Sequence, residues 1–295
     1  MTGVGKGHLT PVNERFFFEW TPEMAYVLGL LITDGYLGDR VGKKRAFQVQ
    51  LVLTDREIIE AVARTIGFGG KLYHRPPHGL GKKDKWGIKF GNRTTFERLV
   101  ELNVTPRKSL TMQMPPVPDH LFGHFFRGVF DGNGGLSQSE NGRMLRVVGA
   151  SLSFMRDLKR RAEELSGAQL TWWSSTKLRT PMHSVMAGGY GALTSVYRWM
   201  YDDAPPELWI ERKRAKLREF VDEWTPEVRG HSVGMVRANH HVEELRRLHL
   251  DERVPLKEIA RRWGVKYVSV RNMAQEWGVP CRRYGPANAQ RCLAM

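Results

Sequence analysis

The sequence has little cysteine, a deficit of acidic residues and no long apolar run. Its two cysteines, Cys281 and Cys292, both lie near the C-terminus of the 295 residues. This count excludes a disulfide framework, and no second pair is present to build a zinc site. No apolar run approaches the roughly 18 residues of a membrane span. The opening "MTGVGKGHLTPVNERFFFEW" lacks the apolar core of a secretory signal, so we expect a cytoplasmic protein with no membrane segment.

Charge is the first indication of a partner. Lysine and arginine total 46 against 31 aspartates and glutamates, which gives a net charge of +15. Such a field attracts polyanions, and nucleic acid is the commonest polyanionic partner because phosphate contacts release counterions. A merely soluble basic protein is the alternative.

One pattern occurs twice in the chain, first as "AYVLGLLITDGYLG" and again as "HFFRGVFDGNGGLS". Thr21 and Pro22 suit the start of the first helix, as N-cap and first helical residue, and Gly35 suits its C-cap. The segment is apolar nearly all round, which predicts burial on more than one face. Gly134 of the second copy matches Gly35.

Small residues lie four positions apart in each copy. Gly29 and Thr33 match Gly128 and Gly132, and such a stripe lets two helix backbones approach closely. We predict that the two helices pack together along these four residues. Their C-terminal ends would then bring Asp34 and Asn133 side by side.

The segments after each copy also correspond. "RAFQVQLVL" alternates like a strand, "DREIIEAVARTIGF" like an amphipathic helix, "KLYHR" and "KWGIKFG" like strands, and "RTTFERLVELNV" like a helix. "RMLRVVGAS", "SFMRDLKRRAEELSG", "LTWWSS", "MHSVMAG" and "YGALTSVYRWMYDDA" repeat that order. We infer a duplication with pseudo-twofold symmetry.

Residues 27–35 and 126–134 together resemble the two motifs of a single-chain LAGLIDADG homing endonuclease, and the resemblance covers about residues 15–222. It implies an α+β fold of two αββαββα halves, repeat 1 at 15–112 and repeat 2 at 113–222. A saddle of strands would lie over double-stranded DNA, and one monomer would supply both halves.

The resemblance also implies a divalent metal, normally Mg²⁺. Its ligands would be the side chains of Asp34 and Asn133, helped by the backbone carbonyls of Thr33 and Gly132. Hard oxygen ligands suit Mg²⁺. Lys108 and Lys213 match the basic residues that this family places near the scissile phosphates, where a cation stabilises charge on the phosphate. Ordinary phosphate contact or a solvated charge is the alternative for each lysine.

The last part of the chain differs in composition. Residues 223–241 mix glycine, proline and polar residues like a linker, and His240-His241 belongs to that linker rather than to a metal site. Residues 242–295 predict three short helices that resemble a helix-turn-helix domain, with a helical cap or dimerisation module as the alternative. Val268, Val270, Met273 and Ala274 would form the apolar pattern of the third helix. That helix would enter the major groove with its exposed start: Lys266, Tyr267, Ser269, Arg271 and Asn272.

DNA specificity in the repeats would come from side chains on the strands. The candidates are Gln48, Gln50, Arg75, Lys89, Arg146 and Lys177. Lys89 is also a lesser catalytic candidate, although its counterpart in the second repeat is Met186.

Asn133 stands where the motif normally has a second acid, and Asp131 lies on the wrong side of an ideal helix to replace it. Asp131 is therefore interpreted as structural. The chain would be an impaired enzyme that nicks one strand, a binding protein that has lost cleavage, or a form changed deliberately from aspartate. A metal-dependent endonuclease is the leading hypothesis. A non-cleaving regulator of the WhiA type and an RNA maturase are the alternatives.

Overall fold

The computed structural model describes residues 10–38, 47–77, 83–139, 142–176, 180–222, 242–263, 265 and 267–280. These residues form two compact units. One holds the two repeats up to Glu219 except Gly189–Gly191, and the other holds Gly189–Gly191 and the chain from Phe220 onward, with the C-terminal helices. Within these ranges, no helix combines the length and apolarity that a membrane crossing requires.

Each repeat has the order helix, two strands, helix, two strands, helix. Repeat 1 consists of α1 (Pro22–Asp34), β1 (Gly35–Leu37), β2 (Val49–Leu53), α2 (Arg56–Thr65), β3 (Tyr73–Arg75), β4 (Lys85–Phe90) and α3 (Arg93–Glu101). Repeat 2 consists of α4 (Phe122–Asn133), β5 (Gly134–Ser139), β6 (Gly142–Gly149), α5 (Leu152–Ser166), β7 (Thr171–Ser175), β8 (Met182–Gly188) and α6 (Tyr190–Tyr201), and α7 (Glu211–Asp222) follows.

The two repeats build sheets of identical topology. Sheet 1 has the strand order β1-β2-β4-β3 and sheet 2 the order β5-β6-β8-β7, with every neighbouring pair antiparallel. The predicted α+β fold with a duplicated αββαββα plan is confirmed. The boundaries 15–112, 113–222, 223–241 and 242–295 stay predictions.

Helix α1 begins as its sequence predicts. The Thr21 side-chain oxygen accepts a hydrogen bond from the Met24 amide at 3.1 Å, and Pro22 is the first helical residue. Every residue from Met24 to Ile32 is buried. A helix that is apolar all round needs partners on several faces, and its main partner is α4.

Two glycines set the distance between α1 and α4. A Cβ atom on Gly29 would lie 2.3 Å from the Phe125 carbonyl oxygen and 2.9 Å from the Gly128 Cα. A Cβ atom on Gly128 would lie 2.2 Å from the Tyr26 carbonyl oxygen. Both separations are far below van der Waals contact, so neither position accepts a side chain at this spacing. We call this contact, lined by Gly29, Thr33, Gly128 and Gly132, the seam.

Gly35 and Gly134 are the C-cap residues of the two seam helices, as expected, but their backbone is extended rather than left-handed. Gly35 has φ −71° and ψ 139°, and Gly134 has φ −97° and ψ 159°, so neither forms a left-handed cap. Each residue instead begins a strand directly, without a loop, and β1 and β5 were missed for that reason. A Cβ on Gly35 would lie 2.3 Å from the Leu31 carbonyl oxygen, which explains the glycine.

One face of each sheet packs into the core, and the opposite face is left open. Strand residues alternate between the two faces. The core side is marked by buried residues on the central strands: Val49, Leu51, Ile88, Phe90, Leu145, Val147, Val185 and Ala187. The residues between them define what we call the open face of each sheet.

The C-terminal unit has its own small core. It contains α8 (Val242–Arg246), a π-helical turn (Arg247–Asp251), α9 (Leu256–Arg262) and α10 (Tyr267–Glu276). Its buried cluster includes Leu245, Leu248, Leu256, Ile259, Ala260, Val270, Met273 and Ala274. The predicted linker, with His240-His241, and the cysteines Cys281 and Cys292 lie outside the described residues.

The seam predicts a large effect for one added methyl group. Because the Cβ of Gly128→Ala would clash with backbone rather than with a flexible side chain, we expect it to lower the free energy of unfolding by about 2 to 3 kcal/mol. Urea denaturation followed by circular dichroism measures the change. Gly135→Ala is the control, since a Cβ at Gly135 meets no atom within 4 Å. Equal stability of the two variants would contradict the tight seam.

Candidate functional site

The candidate site lies where the two seam helices end. Asp34 is the last residue of α1, and its Oδ2 atom is buried with no hydrogen-bond partner among the described residues. Burial raises the pKa of the Asp34 carboxyl above its ordinary value, while the neighbouring Thr33 side chain and then the charges of Lys213, Lys108 and Lys85 act in the opposite direction. An unpartnered buried carboxylate oxygen is costly, so this atom is an available acceptor or ligand.

Asp34 also lies against the other seam helix. A Cβ on Gly132 would lie 2.4 Å from Asp34 Oδ2 and 2.0 Å from Thr33 Oγ1. The two repeats therefore meet where the resemblance places the metal ligands. Asn133, the last residue of α4, is half-buried. The Thr33 hydroxyl donates within its own helix, to the carbonyls of Gly29 at 3.1 Å and Leu30 at 3.0 Å.

Two lysines lie in corresponding positions of the two repeats. The buried Lys108 ammonium donates to the Gly35 carbonyl, and the buried Lys213 ammonium donates to the Gly134 carbonyl at 2.7 Å. Each lysine thus bonds to the first strand residue after a seam helix. Burial lowers the pKa of each lysine to about 8.

The second lysine is bound more completely than the first. Lys213 Nζ also donates to the Phe130 carbonyl at 2.8 Å and to the Asp131 carbonyl at 2.7 Å. An ammonium group has three donors, so these bonds use all of them. Lys213 as placed has no N–H left for a phosphate, which argues against the catalytic role predicted from the sequence. Among the described residues, Lys108 has a single such bond.

Asp131 belongs to a buried polar network in repeat 2. Its Oδ2 accepts hydrogen bonds from the Tyr26 hydroxyl at 2.8 Å and from the Ile210 amide at 2.9 Å. These bonds link α4 to α1 of the other repeat and to the residue that precedes α7, the helix that carries Lys213. Burial raises the pKa of Asp131 from its ordinary value of 3.8 to about 6, and Lys213 opposes this shift most strongly.

Arg127 was not predicted to have a role, yet it is fully buried in the same helix. Its guanidinium donates to the carbonyls of Leu208, at 3.0 Å, and Met200, and it lies 5.0 Å from the Tyr26 ring centroid. A single arginine inside an apolar helix was the available signal. Its partners could not be found from the sequence, because they lie over 70 residues away along the chain.

The open face of sheet 1 is cationic. Gln50 pairs with Tyr36 on one side and Lys89 on the other, and Arg75 pairs with Lys85. Arg75, Lys85 and Lys89 are all exposed, and Tyr36 is 55% exposed. The open face therefore includes three of the residues that were predicted to contact DNA: Gln50, Arg75 and Lys89.

Gln48 does not lie there. It precedes β2, its side chain is buried, and its Nε2 atom has no partner among the described residues. The prediction that it contacts DNA is wrong for this structure, because Gln48 lies before the strand and its side chain is buried.

The open face of sheet 2 carries a single cation on its strands. Arg146 is exposed and pairs with Gly135 and Met186. Lys177, predicted as a further contact, lies outside the described residues. The eight strands of the two sheets contain no aspartate and no glutamate. Neither sheet therefore repels a polyanion.

The oxygen donors at the seam suit a metal ion that is coordinated partly by the protein and partly by a substrate. Within the described ranges, no three His, Cys, Asp or Glu residues come together to hold a metal ion by themselves. Asp34 supplies one unpartnered carboxylate oxygen, and the Asn133 amide and nearby carbonyls are further hard donors. Mg²⁺ is commonly held by one or two carboxylates together with waters and substrate phosphates. The residues at the seam fit that arrangement.

In the C-terminal unit, α10 exposes a different set of residues from the one predicted. Tyr267 is 45% exposed, and Arg271 and Asn272 are exposed. Ser269, predicted to contact DNA, is buried, and Val268, predicted to face the core, is 59% exposed. The helical period that buries Val270, Met273 and Ala274 also turns position 269 inward, so both predictions are wrong. Lys266 lies outside the described residues.

Comparison with known proteins gives similarity of structure only. No family model matches the sequence, and neither does any curated protein. Full-length DUF199/WhiA from Thermatoga maritima is 10% identical, with 90% of this chain and 94% of that chain covered at a TM-score of 0.45. I-DmoI in complex with DNA and Ca is 14% identical, with 66% and 96% covered and a TM-score of 0.45. The homing endonuclease I-WcaI, bound to its DNA recognition sequence, is 15% identical, with 69% and 91% covered and a TM-score of 0.44. Similarity at this level does not assign a function.

The two lysines predict different losses of stability. Burial perturbs the two ammonium groups to a similar extent, since the pKa of Lys108 and that of Lys213 both fall to about 8. Lys213→Met removes the donor for three carbonyls and Lys108→Met for one, at about 1 kcal/mol per bond. We therefore expect Lys213→Met to be less stable than Lys108→Met by about 2 kcal/mol in urea denaturation at neutral pH. The reverse order would contradict the described bonding.

Asp131 predicts a pH dependence of stability. Its folded-state pKa of about 6 lies above its ordinary 3.8, so between these values the folded state retains a proton that the unfolded state has lost. Its contribution to stability therefore decreases as the pH rises from about 4 to about 6, by about 3 kcal/mol, and then levels off.

The measurement is the difference in unfolding free energy between the wild type and Asp131→Asn at several pH values. We expect the wild type to lose stability relative to the variant over that interval. Parallel pH profiles for the two proteins would show that Asp131 is not perturbed.

Proposed function

We propose that this chain binds double-stranded DNA as a monomer, with the open faces of both sheets against the duplex, and cleaves a phosphodiester bond at the seam. The observation that carries the proposal is the position of Asp34. Its unpartnered Oδ2 atom lies beside Gly132, where α1 passes directly into sheet 1 and α4 into sheet 2, and the strands of both sheets carry no acid. A polyanion that covers both sheets would place its backbone at this carboxylate.

Mg²⁺ or another divalent cation would be held by Asp34, with help from the Asn133 amide oxygen and the carbonyls of Thr33 and Gly132. Bound there, the cation would activate a water and stabilise the leaving oxygen. Asp34 fixes the position of this chemistry because α1 cannot move relative to α4 without separating Gly29 from Gly128. The burial that leaves Oδ2 unpartnered also excludes water from its side of the site.

The two halves of the site are unequal, so we propose preferential cleavage of one strand. Asn133 contributes no charge, and Lys213 has its donors occupied by carbonyls. Asp34 is a carboxyl group that can ionise, and Lys213 and Lys108 both lie near enough to lower its pKa. Two independent features thus weaken the same half.

A DNA-binding protein that does not cut is the second candidate. The same two features favour it, since a single carboxylate is a poor basis for cleaving both strands. In either case we propose that the C-terminal unit acts as a helix-turn-helix and adds a DNA contact through α10, with Tyr267, Arg271 and Asn272 exposed.

The test begins by selecting a bound duplex from a randomised library in the presence of EDTA, which permits binding without cleavage. A supercoiled plasmid that carries the selected site is then incubated with Mg²⁺ and one of three proteins: the wild type, Asn133→Asp or Asp34→Asn. We expect nicked circles from the wild type, linear DNA from Asn133→Asp and intact plasmid from Asp34→Asn, whose side chain has the same size.

The binding affinity of each variant serves as the control. If the wild type and Asn133→Asp both bind tightly and leave the plasmid intact, the nuclease proposal fails and the binding protein is supported. Cleavage that persists in Asp34→Asn at the wild-type rate would exclude Asp34 as the centre of the reaction.

A further inference from the structure

The two open faces differ in chemistry, although the two sheets have the same topology. Sheet 1 presents Arg75, Lys85 and Lys89 beside Gln50. The corresponding strands of sheet 2 present Arg146 and otherwise uncharged residues, several of them large and apolar. This contrast concerns the side chains that a duplex would meet, and the proposed function does not explain it.

The register of sheet 2 identifies these apolar residues. Met186 pairs with Arg146 and Thr171, while Trp173 and Val148 flank Ser184 on either side. They lie opposite the buried Leu145, Val147, Val185 and Ala187, and therefore point to the open face. Trp173 is 42% exposed and Met182, at the end of β8, is 37% exposed. Met144 pairs with Gly188 on the same face.

Apolar side chains can read only one feature of the DNA major groove. Guanine, cytosine and adenine present hydrogen-bond donors and acceptors there, whereas thymine adds a C5-methyl group. A methionine or valine against a donor or acceptor leaves that group without a partner, which disfavours the base. The flexible methionine side chain also adapts to an uneven apolar surface.

We infer that repeat 2 recognises a thymine-rich half-site through the methyl groups of its bases, with Met144, Val148 and Met186 as the contacting residues. Sheet 1 reads the other half-site through Arg75, Lys85 and Lys89, which suit the O6 and N7 atoms of guanine. This inference rests on the proposed binding of duplex DNA and adds the base preference of each half.

An exposed apolar surface also suits a protein partner. Three features favour DNA here. The strands of both sheets lack carboxylates, Arg146 lies in the middle of the apolar residues, and the positions of Met186 and Met182 correspond to Lys89 and Lys85 in sheet 1. A protein-binding surface has no reason to continue into an acid-free cationic face of identical topology.

The experiment replaces thymidine with deoxyuridine, which removes the methyl group and leaves the hydrogen-bonding pattern unchanged. A high-affinity duplex is first selected from a randomised library with the full chain. Selections with Arg146→Gln and Lys89→Gln then assign the half-sites, since each variant should alter the preferred bases in the half that its own repeat contacts.

Deoxyuridine placed in the half-site of repeat 2 should raise the Kd about fourfold for each methyl group that is contacted. The same replacement in the half-site of repeat 1 should leave the Kd unchanged. In the double variant Met144→Ala, Met186→Ala, deoxyuridine in the half-site of repeat 2 should no longer raise the Kd. Thermal unfolding of this double variant verifies that it is folded, which is expected because both residues lie on the open face.

Two results would overturn the inference while leaving the proposed function in place. One is a repeat 2 half-site that is rich in G·C pairs, and the other is specific binding that deoxyuridine does not change in either half. Failure to select any specific duplex would instead overturn the proposed function, and the inference with it.

Discussion

The close approach of Gly29 and Gly128 is the constraint on which the rest of the structure depends. With no side chain at either position, the backbones of α1 and α4 pack so closely that an added Cβ would meet a carbonyl oxygen at 2.3 Å or 2.2 Å. The pseudo-twofold relation of the two repeats, the juxtaposition of Asp34 with Gly132 and the alignment of both strand-start glycines all follow from this spacing. A wider seam would separate the two halves of the site and leave Asp34 in water, where it would behave as an ordinary carboxylate.

The duplication is nearly symmetric in its backbone and clearly asymmetric in its buried charges. Repeat 2 contains Arg127 and Asp131 inside its seam helix, where repeat 1 has Leu28 and Ile32. The Asp131 carboxylate fixes the start of α7 through the Ile210 amide, and α7 in turn places Lys213 against three carbonyls. The polar network therefore holds together the half of the seam that carries Asn133 instead of a second acid.

Much of the fold could be predicted from the sequence because periodicity and small-residue spacing are local signals. The order of elements, the burial of α1 and the packing of the two motif helices required no long-range information. The strands β1 and β5 were missed because they follow their helices without a loop, so no turn residue marks the boundary. Ser269 and Val268 show a limit at single positions, since an offset of one residue along a helix decides whether a side chain faces solvent or core. Gln48 has the alternation phase of Gln50 and is buried all the same, because it lies before the strand.

The site was less predictable, because its properties depend on contacts between distant segments. Spacing indicated Lys108 and Lys213 as a matched pair, and the structure places them in matched positions. Lys213, on α7, contacts the last turn of its seam helix as well as the carbonyl of the first strand residue, whereas Lys108 bonds to the Gly35 carbonyl alone among the described residues. No sequence pattern encodes that difference. The same holds for the unpartnered oxygen of Asp34, which depends on Gly132 from the other repeat.

Electrostatics at the seam also indicate why a divalent cation belongs to the proposed function. The strands attract a polyanion because they carry no acid, yet the duplex would then bring a phosphate against the Asp34 carboxylate. Two anions at that distance, in a site where burial already raises the carboxyl pKa, repel strongly. Protonation of Asp34 would relieve the repulsion but would remove the ligand. A cation between carboxylate and phosphate relieves the repulsion while keeping both groups ionised.

In the half of the site that carries Asn133, the need for a cation is weaker, because a neutral amide does not repel a phosphate. In the proposed function, the neutral amide of Asn133 would therefore favour DNA binding at the same position where it would disfavour cleavage.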